Sequence, residues 1–266
     1  MSRRLNTSPI RYIALDLDGT LLRTDKSISS RTRSAVLAAE AIGYLPIIAT
    51  ARPPRSAAAL LDGFLPDAPR IYYSGARILI GDNCIFNCTI PCPSALEIVN
   101  TFMDRAPQAT VSVEIDDRFF ATHPHGNALP GDVIDVREVL DREPIKIMLD
   151  MTSPGIPTDI LSGLPNDVRY IVSDAGTLAQ ISNRDISKSD AIRRVVETLG
   201  GTLSGVIAFG DDTNDVEMIR DAGIGIAMAN AVDPVKSVAD HITSSNDEDG
   251  VALVIENHLL DPPHPE

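Results

Sequence analysis

The chain has 266 residues, 44% of them hydrophobic and 23% charged, an ordinary balance for a globular protein of one large domain or two. Its formal net charge of -14 and pI near 4.7 argue against a nucleic-acid or anionic-membrane partner, because both select a basic surface. No run approaches the roughly 18 consecutive apolar residues of a spanning helix, and the charged start "MSRRLNTSPIRY" leads into no apolar segment of signal-peptide type, so a cytoplasmic location is expected.

In chain order, "RYIALDL" reads as a buried strand and "SSRTRSAVLAAEAIG" as a helix, with serine cap candidates ahead of it and Gly43 closing it. "YLPIIAT" reads as a second strand, "PRSAAALLDGF" as a second helix and "RIYYS" as a third strand. That alternation predicts a parallel sheet with crossover helices. From about Cys84 the runs shorten: "CIFNCTI", "ATVSVEI", "DRFFAT", "PIKIMLD", "VRYIVS" and "TLAQIS" predict an antiparallel sheet, with helices near 94–105 and 157–164 on one face. After Ser187 the first texture returns, as helix "KSDAIRRVVETLG", strand "GVIAFG", helix "DVEMIRDAG", strand "IGIAMA", helix "AVDPVKSVAD", strand "HITSS" and helix "DGVALVIENHLL"; "DPPHPE" is expected to fray. The predicted fold class is α/β: a doubly wound parallel sheet formed by residues 1–82 and 184–266, with an inserted α/β cap of residues 83–183. Cys84, Cys88 and Cys92 are odd in number and lack paired CxxC spacing, so they are expected to be incidental thiols.

The run "IALDLDGTLL" poses the chemical question, because a buried strand ends in two carboxylates two positions apart, Asp16 and Asp18, followed by Gly19. Continued as a strand, both would crowd one side of a core that cannot solvate them. Two other strand candidates also end in polar residues, "LPIIATAR" in Thr50 and Arg52 and "GVIAFGDDTND" in Asp211, Asp212, Asn214 and Asp215. Ligands of open parallel sheets bind outside the carboxyl ends of the strands, so these residues are expected to share one crevice. Clustered carboxylates ionise together only beside a cation, and an all-oxygen donor set suits Mg²⁺. Lys188 begins a predicted helix, where its ammonium joins the helix N-terminus in attracting phosphate oxygens. Thr50 adds a hydroxyl and the backbone N–H groups beyond it. A carboxylate nucleophile, a second carboxylate, a hydroxyl, a lysine and a metal suit phosphoryl transfer through an aspartyl phosphate.

The segments "DLDGT" (16–20), "IIATAR" (47–52), "SKSDAI" (187–192) and "GDDTND" (210–215), in that order, resemble the four motifs of the haloacid dehalogenase-like phosphatase superfamily. "AGIGIAMANA" and "ADHITSSNDEDGVA" are similar to its Cof-type branch, which carries a large cap between the second and third motifs. The resemblance covers about 180 residues and implies a Mg²⁺-dependent phosphatase of small phosphorylated metabolites. It implies Asp16 as nucleophile and metal ligand, and Asp18 as general acid and base that also binds the metal through its backbone carbonyl. Asp211 would be the third protein ligand, and Asp215 would act through a metal-bound water. Gly19, Thr50, Ala51, Arg52, Lys188 and Asn214 would contact the phosphoryl group. Ala51, Ser74, Ser189 and Gln180 depart from the branch pattern without removing a catalytic group, which leaves the substrate open. A phosphosugar mutase and a non-catalytic phospholigand-binding protein are the alternatives. In the cap, "ATHPHGNALP" is a candidate substrate-facing loop through His123, His125 and Asn127, against the plainer reading as a solvated loop.

Overall fold

The computed structural model describes residues 10–123, 132–173 and 176–260. His125, Asn127 and the tail 261–266 lie outside the described residues. The chain divides into two compact units, one of residues 1–86 and 187–266 and the other of residues 87–186.

The first unit holds an eight-stranded sheet. It begins with β1 (Tyr12–Leu15), α1 (Ser30–Ala41), β2 (Leu45–Ala49), α2 (Pro54–Leu61), β3 (Arg70–Tyr72), β4 (Arg77–Ile80) and β5 (Asn83–Asn87). After the second unit it resumes with α4 (Lys188–Thr198), β12 (Val206–Gly210), α5 (Val216–Asp221), β13 (Ile224–Ala227), α6 (Asp233–Val238), β14 (His241–Ile242) and α7 (Gly250–Ile255), which runs on into a wider turn over Glu256–Leu260. The strand order is β14-β13-β12-β1-β2-β3-β4-β5, parallel from β14 to β3. From the centre the chain winds outward in both directions, β1 to β2 to β3 one way and β12 to β13 to β14 the other. Right-handed crossovers therefore place α1 and α2 on one face and α5 and α6 on the other. The winding reverses between β1 and β12, whose residues run in register from Tyr12 beside Val206 to Leu15 beside Phe209. That junction is the topological switch point at which such sheets bind ligands.

Burial explains the central strands: every residue of β1 and β12 is buried, as a strand covered on both faces requires. The hairpin β4–β5, turning at Gly81 with φ +57°, extends the sheet at its edge, with β4 antiparallel to β3. Residues 83–86 thus belong to the first unit's sheet, a few residues beyond the expected boundary, because the hairpin supplies the pairing that an isolated strand lacks.

The second unit contains α3 (Cys92–Arg105), β6 (Val111–Ile115), β7 (Arg118–Ala121), β8 (Asp132–Val133), β9 (Lys146–Asp150), β10 (Val168–Ser173) and β11 (Leu178–Asn183). Its sheet order is β10-β11-β9-β6-β7-β8, antiparallel except for the parallel β7–β8 pair. Ile98, Val99 and Phe102 of α3 pack on Val111, Val113, Ile147, Leu149 and Ile181, the residues of alternate strand positions that share one face. The helix expected over 157–164 is absent: Ile160 N to Pro157 O and Ser162 N to Asp159 O are single turns. Pro157, Gly163 and Pro165 leave too few residues between them for a helix to repay its nucleation. Cys84, Cys88 and Cys92 form no disulfide among the described residues. No helix among the described residues is long and apolar enough to cross a membrane.

Candidate active site

Strand β1 stops at Leu15, and the chain turns at once, with Leu21 N donating to Asp16 O and Leu22 N to Leu17 O. The two carboxylates of the opening motif then take different cations. Asp16 is buried and accepts from Lys188 Nζ at 2.5 Å through Oδ1; its Oδ2 has no hydrogen-bond partner among the described residues. Asp18 is half-buried and accepts from Arg52 at both oxygens, Nε to Oδ2 at 2.5 Å and Nη2 to Oδ1 at 2.7 Å, while Lys26 Nζ reaches Oδ1 at 2.7 Å. Gly19, directly after them, has φ +73°, and a Cβ there would lie 2.1 Å from Asp211 Oδ2. Glycine is therefore required twice, by conformation and by the approach of Asp211.

Thr50 follows β2 and is buried. Its hydroxyl accepts from Arg52 N at 3.1 Å and its carbonyl from Ser74 N at 3.0 Å. The hydroxyl hydrogen has no acceptor among the described residues, so it is available to a ligand. Ala51 contributes only backbone beside it.

Lys188 opens α4 behind the cap residue Ser187, whose Oγ accepts from Asp190 N at 3.0 Å. Its side chain is almost wholly enclosed, 1% exposed, and its second contact is Asp215 Oδ1 at 2.6 Å. A Cβ on Gly75 would lie 2.3 Å from Ser187 O, so the turn over 73–75 closes against the start of α4 and holds this lysine inward.

After β12 the chain makes a tight turn over Thr213–Asp215. Asp215 is fully buried, and its Oδ2 accepts from the N–H groups of Asp211 at 2.9 Å and Asp212 at 3.1 Å. One carboxylate thus shapes the loop with one oxygen and anchors Lys188 with the other. Asp212 caps the turn by accepting from Thr213 N. Asp211 Oδ1 accepts from Thr20 Oγ1 at 2.9 Å. The side-chain oxygen of Asn214, in the same turn, is buried without a hydrogen-bond partner among the described residues.

The electrostatics follow from three carboxylates around one ammonium. Burial raises the Asp16 carboxyl well above the ordinary carboxylate range; the charges of Asp215 and Asp211 add to this, and Lys188 opposes it. Asp211 is pushed up to about 7, first by burial and then by Asp215, against the hydrogen bond from Thr20 and the charge of Lys188. For Lys188, burial favours the neutral amine, but Asp16 and Asp215 together outweigh it and hold the ammonium charged. Burial also pushes Asp18 up, yet the hydrogen bonds and charges of Arg52 and Lys26 prevail, and its carboxyl lies below the ordinary value.

Asp16, Asp211 and Asp215 each present one oxygen within 4.8 Å of the others. Their all-oxygen donor set, the excess of negative charge over Lys188 and the unmet Asn214 oxygen all fit a hard divalent cation. Of the residues expected to share the crevice, Asp16, Lys188, Asp211 and Asp215 form one connected cluster, with Gly19 against it. Arg52 is engaged by Asp18 and by Ser56 Oγ, 2.7 Å from Nη1.

Sequence reasoning missed three supporting residues. Lys26 contacts Asp18. Asn230 Nδ2 donates to Gly19 O at 2.8 Å, and Asn230 Oδ1 accepts from Asn246 N at 3.1 Å; Asn246 Nδ2 in turn donates to Leu22 O at 2.9 Å. Asn230 and Asn246 lie inside "AGIGIAMANA" and "ADHITSSNDEDGVA", strings whose resemblance to the Cof-type branch was the signal that could have found them. In the second unit, His123 is exposed, with Nδ1 3.0 Å from Thr122 Oγ1, and Gln180 bridges Lys146 Nζ at 2.9 Å to Ser173 Oγ at 2.6 Å.

Residues 13–255 match the family model of the haloacid dehalogenase-like hydrolases. The chain is 28% identical over 261 residues to the 5-amino-6-(5-phospho-D-ribitylamino)uracil phosphatase YcsE of Bacillus subtilis, covering 98% of this chain and 100% of that one. It is 26% identical over 273 residues to the pyridoxal phosphate phosphatase YbhA of Escherichia coli, covering 94% and 99%. The crystal structure of TM0651 from Thermotoga maritima superposes with a TM-score of 0.78 at 25% identity, covering 93% of this chain and 97% of that one. The chain belongs to the haloacid dehalogenase-like hydrolases whose four motifs it resembles, as an enzyme of the Cof-type phosphatase branch.

Proposed function

We propose that this protein hydrolyses phosphomonoesters of small metabolites, with Mg²⁺, through an aspartyl phosphate on Asp16. The observation that carries this reading is the buried cluster in which Lys188 Nζ contacts both Asp16 and Asp215 while Asp211 completes a three-carboxylate set. A carboxylate with one oxygen fixed by an ammonium and the other without a protein partner is an oriented nucleophile.

Asp16 Oδ2 attacks phosphorus, a new O–P bond forms and the ester P–O bond breaks. For this step Asp18 leaves the grip of Arg52 and Lys26, takes up a proton and gives it to the departing alkoxide oxygen. The resulting Asp18 carboxylate then takes a proton from water as the water oxygen bonds to phosphorus, which releases inorganic phosphate and restores the Asp16 carboxylate. Lys188 and the Thr50 hydroxyl stabilise negative charge on the phosphoryl oxygens, with Asn214 as a further donor. Asp16 and Asp211, with the carbonyl of Asp18, would hold the cation, and Asp215 would support it while shaping the loop. Bound Mg²⁺ neutralises the carboxylates and the phosphoryl charge.

The two named relatives act on phosphate esters with unlike organic portions at nearly equal identity to this chain, so a small phosphorylated metabolite is the substrate class proposed, a sugar phosphate or similar compound among them. A panel of phosphorylated metabolites tests this. Phosphate release with Mg²⁺, its loss in EDTA and its return with added Mg²⁺ support the reading; undiminished turnover in chelator refutes the metal assignment.

A further inference from the structure

The loop of residues 228–232, which follows β13, holds two acidic turns at once. Met228 N donates to Gly210 O at 3.1 Å and Val232 N to Asp211 O at 2.9 Å, so the backbone that carries Asp211 is fixed from this loop. A further bond, Ala231 N to Met228 O at 2.9 Å, tightens the loop itself. From its middle, Asn230 Nδ2 donates to Gly19 O at 2.8 Å, in the turn that carries Asp16 and Asp18. The other end of the same amide, Oδ1, accepts from Asn246 N at 3.1 Å. Asn246 is buried, and its Nδ2 donates to Leu22 O at 2.9 Å, which ties the anchor of Asn230 to the far end of the same turn. The turn over 16–22 and the turn at 210–211 are thereby braced against one loop.

We propose that Asn230 is a positioning residue that sets the spacing between these two turns and so makes the site prefer a small divalent cation to a large one. The inference rests on the cation site of Asp16, Asp211 and the Asp18 carbonyl proposed above. Gly19 O belongs to the peptide group that follows that carbonyl and precedes Thr20, whose Oγ1 donates to Asp211 Oδ1 at 2.9 Å. A bond to Gly19 O therefore orients groups on both sides of the site. Only a neutral amide suits the position: it donates at one end and accepts at the other, whereas a carboxylate cannot donate to Gly19 O and an ammonium would compete with the cation. Stability does not account for Asn230, because it is exposed and its bonds replace bonds to water. Mg²⁺ demands near-octahedral geometry with short bonds, while Ca²⁺ accepts longer bonds and variable coordination, so a loosened spacing penalises Mg²⁺ more.

The test measures binding of Mg²⁺ alone and of Ca²⁺ alone to the full chain, from the rise of its melting temperature with metal concentration. Asn230→Ala removes both bonds of the amide. We expect its apparent Mg²⁺ dissociation constant to rise about tenfold, the scale of losing a group that orients a ligand, and that of Ca²⁺ to rise less, so that the preference for Mg²⁺ falls. Asn230→Asp keeps the size and an acceptor for Asn246 N but cannot donate to Gly19 O. Its added charge attracts both cations alike, so the ratio of the two constants reports geometry, and the preference should fall here too. A general loss of stability would lower both affinities together and leave the ratio in place. An unchanged ratio in the two variants overturns the positioning role. Asp211→Asn, run in parallel, separates the levels: if it binds Mg²⁺ as the unaltered protein does, the cation site itself is misassigned, whereas if it weakens Mg²⁺ binding while the Asn230 variants keep the ratio, only the positioning role fails.

Discussion

Lys188 Nζ and Asp16 Oδ1, 172 residues apart in the chain, meet at 2.5 Å in a site that also encloses Asp215. An ammonium enclosed this completely is kept charged only by the carboxylates it touches, and they by it. Lys188→Met therefore removes the cation that both Asp16 and Asp215 touch and leaves these two buried carboxylates uncompensated. Breaking such a network costs about 3–5 kcal/mol, and the loss should appear in urea unfolding of the metal-free protein. Mg²⁺ should raise the melting temperature of this variant more than that of the unaltered protein, because the cation takes over part of the missing charge. Turnover should fall by about 10²-fold or more, the scale of losing a charge-stabilising donor.

Asp211 gives the pH dependence its sign. Its carboxyl, raised from an ordinary 3.8 to about 7, binds a proton more tightly in the folded than in the unfolded chain. Its contribution to the stability of the metal-free protein is thus fully present below the unfolded value and is lost as pH rises through about 7. Cation binding needs the carboxylate, so Mg²⁺ affinity should increase from pH 6 to pH 8 and binding at pH 6 should release protons. Calorimetric titration in buffers of different ionisation enthalpy measures that release. Asp211→Asn should reduce the proton release and weaken Mg²⁺ binding together.

Gly19→Ala adds one methyl group where φ is +73° and where the new carbon would lie 2.1 Å from Asp211 Oδ2. The conformational cost is about 1–2 kcal/mol, but the larger effect should fall on function, because Asp211 must move away from its bond to Thr20. Mg²⁺ titration of activity should show a higher metal requirement with only a modest change in thermal stability.

The sheet and the cluster were legible because their signals are local. Apolar runs such as "IALDL" and "GVIAFG" end abruptly in carboxylates, and the winding of a parallel sheet then brings Asp16 and Asp211 to one switch point. Lys26 was not legible: a lysine in "RTDKS" reads as a solvated turn residue, and its role depends on a left-handed backbone that propensity argues against. Arg52 was placed with the phosphate contacts, but its pairing with Asp18 depends on two loops folding toward one another, which no spacing encodes. Segment 157–164 misled through its Ile and Leu content, while Pro157, Gly163 and Pro165 held the decisive information.

The most direct measurement of the central claim is to identify the residue that carries phosphate during turnover. Enzyme mixed with substrate and Mg²⁺, quenched in acid and reduced with borohydride, converts an aspartyl phosphate to homoserine, which peptide mass spectrometry locates. Hydrolysis of the intermediate slows when the general base is lost, so Asp18→Asn is the variant in which to trap it. The account predicts homoserine at position 16, and none in Asp16→Asn, whose turnover should drop by several orders of magnitude. Modification at another residue, or near-native turnover by Asp16→Asn, would contradict it.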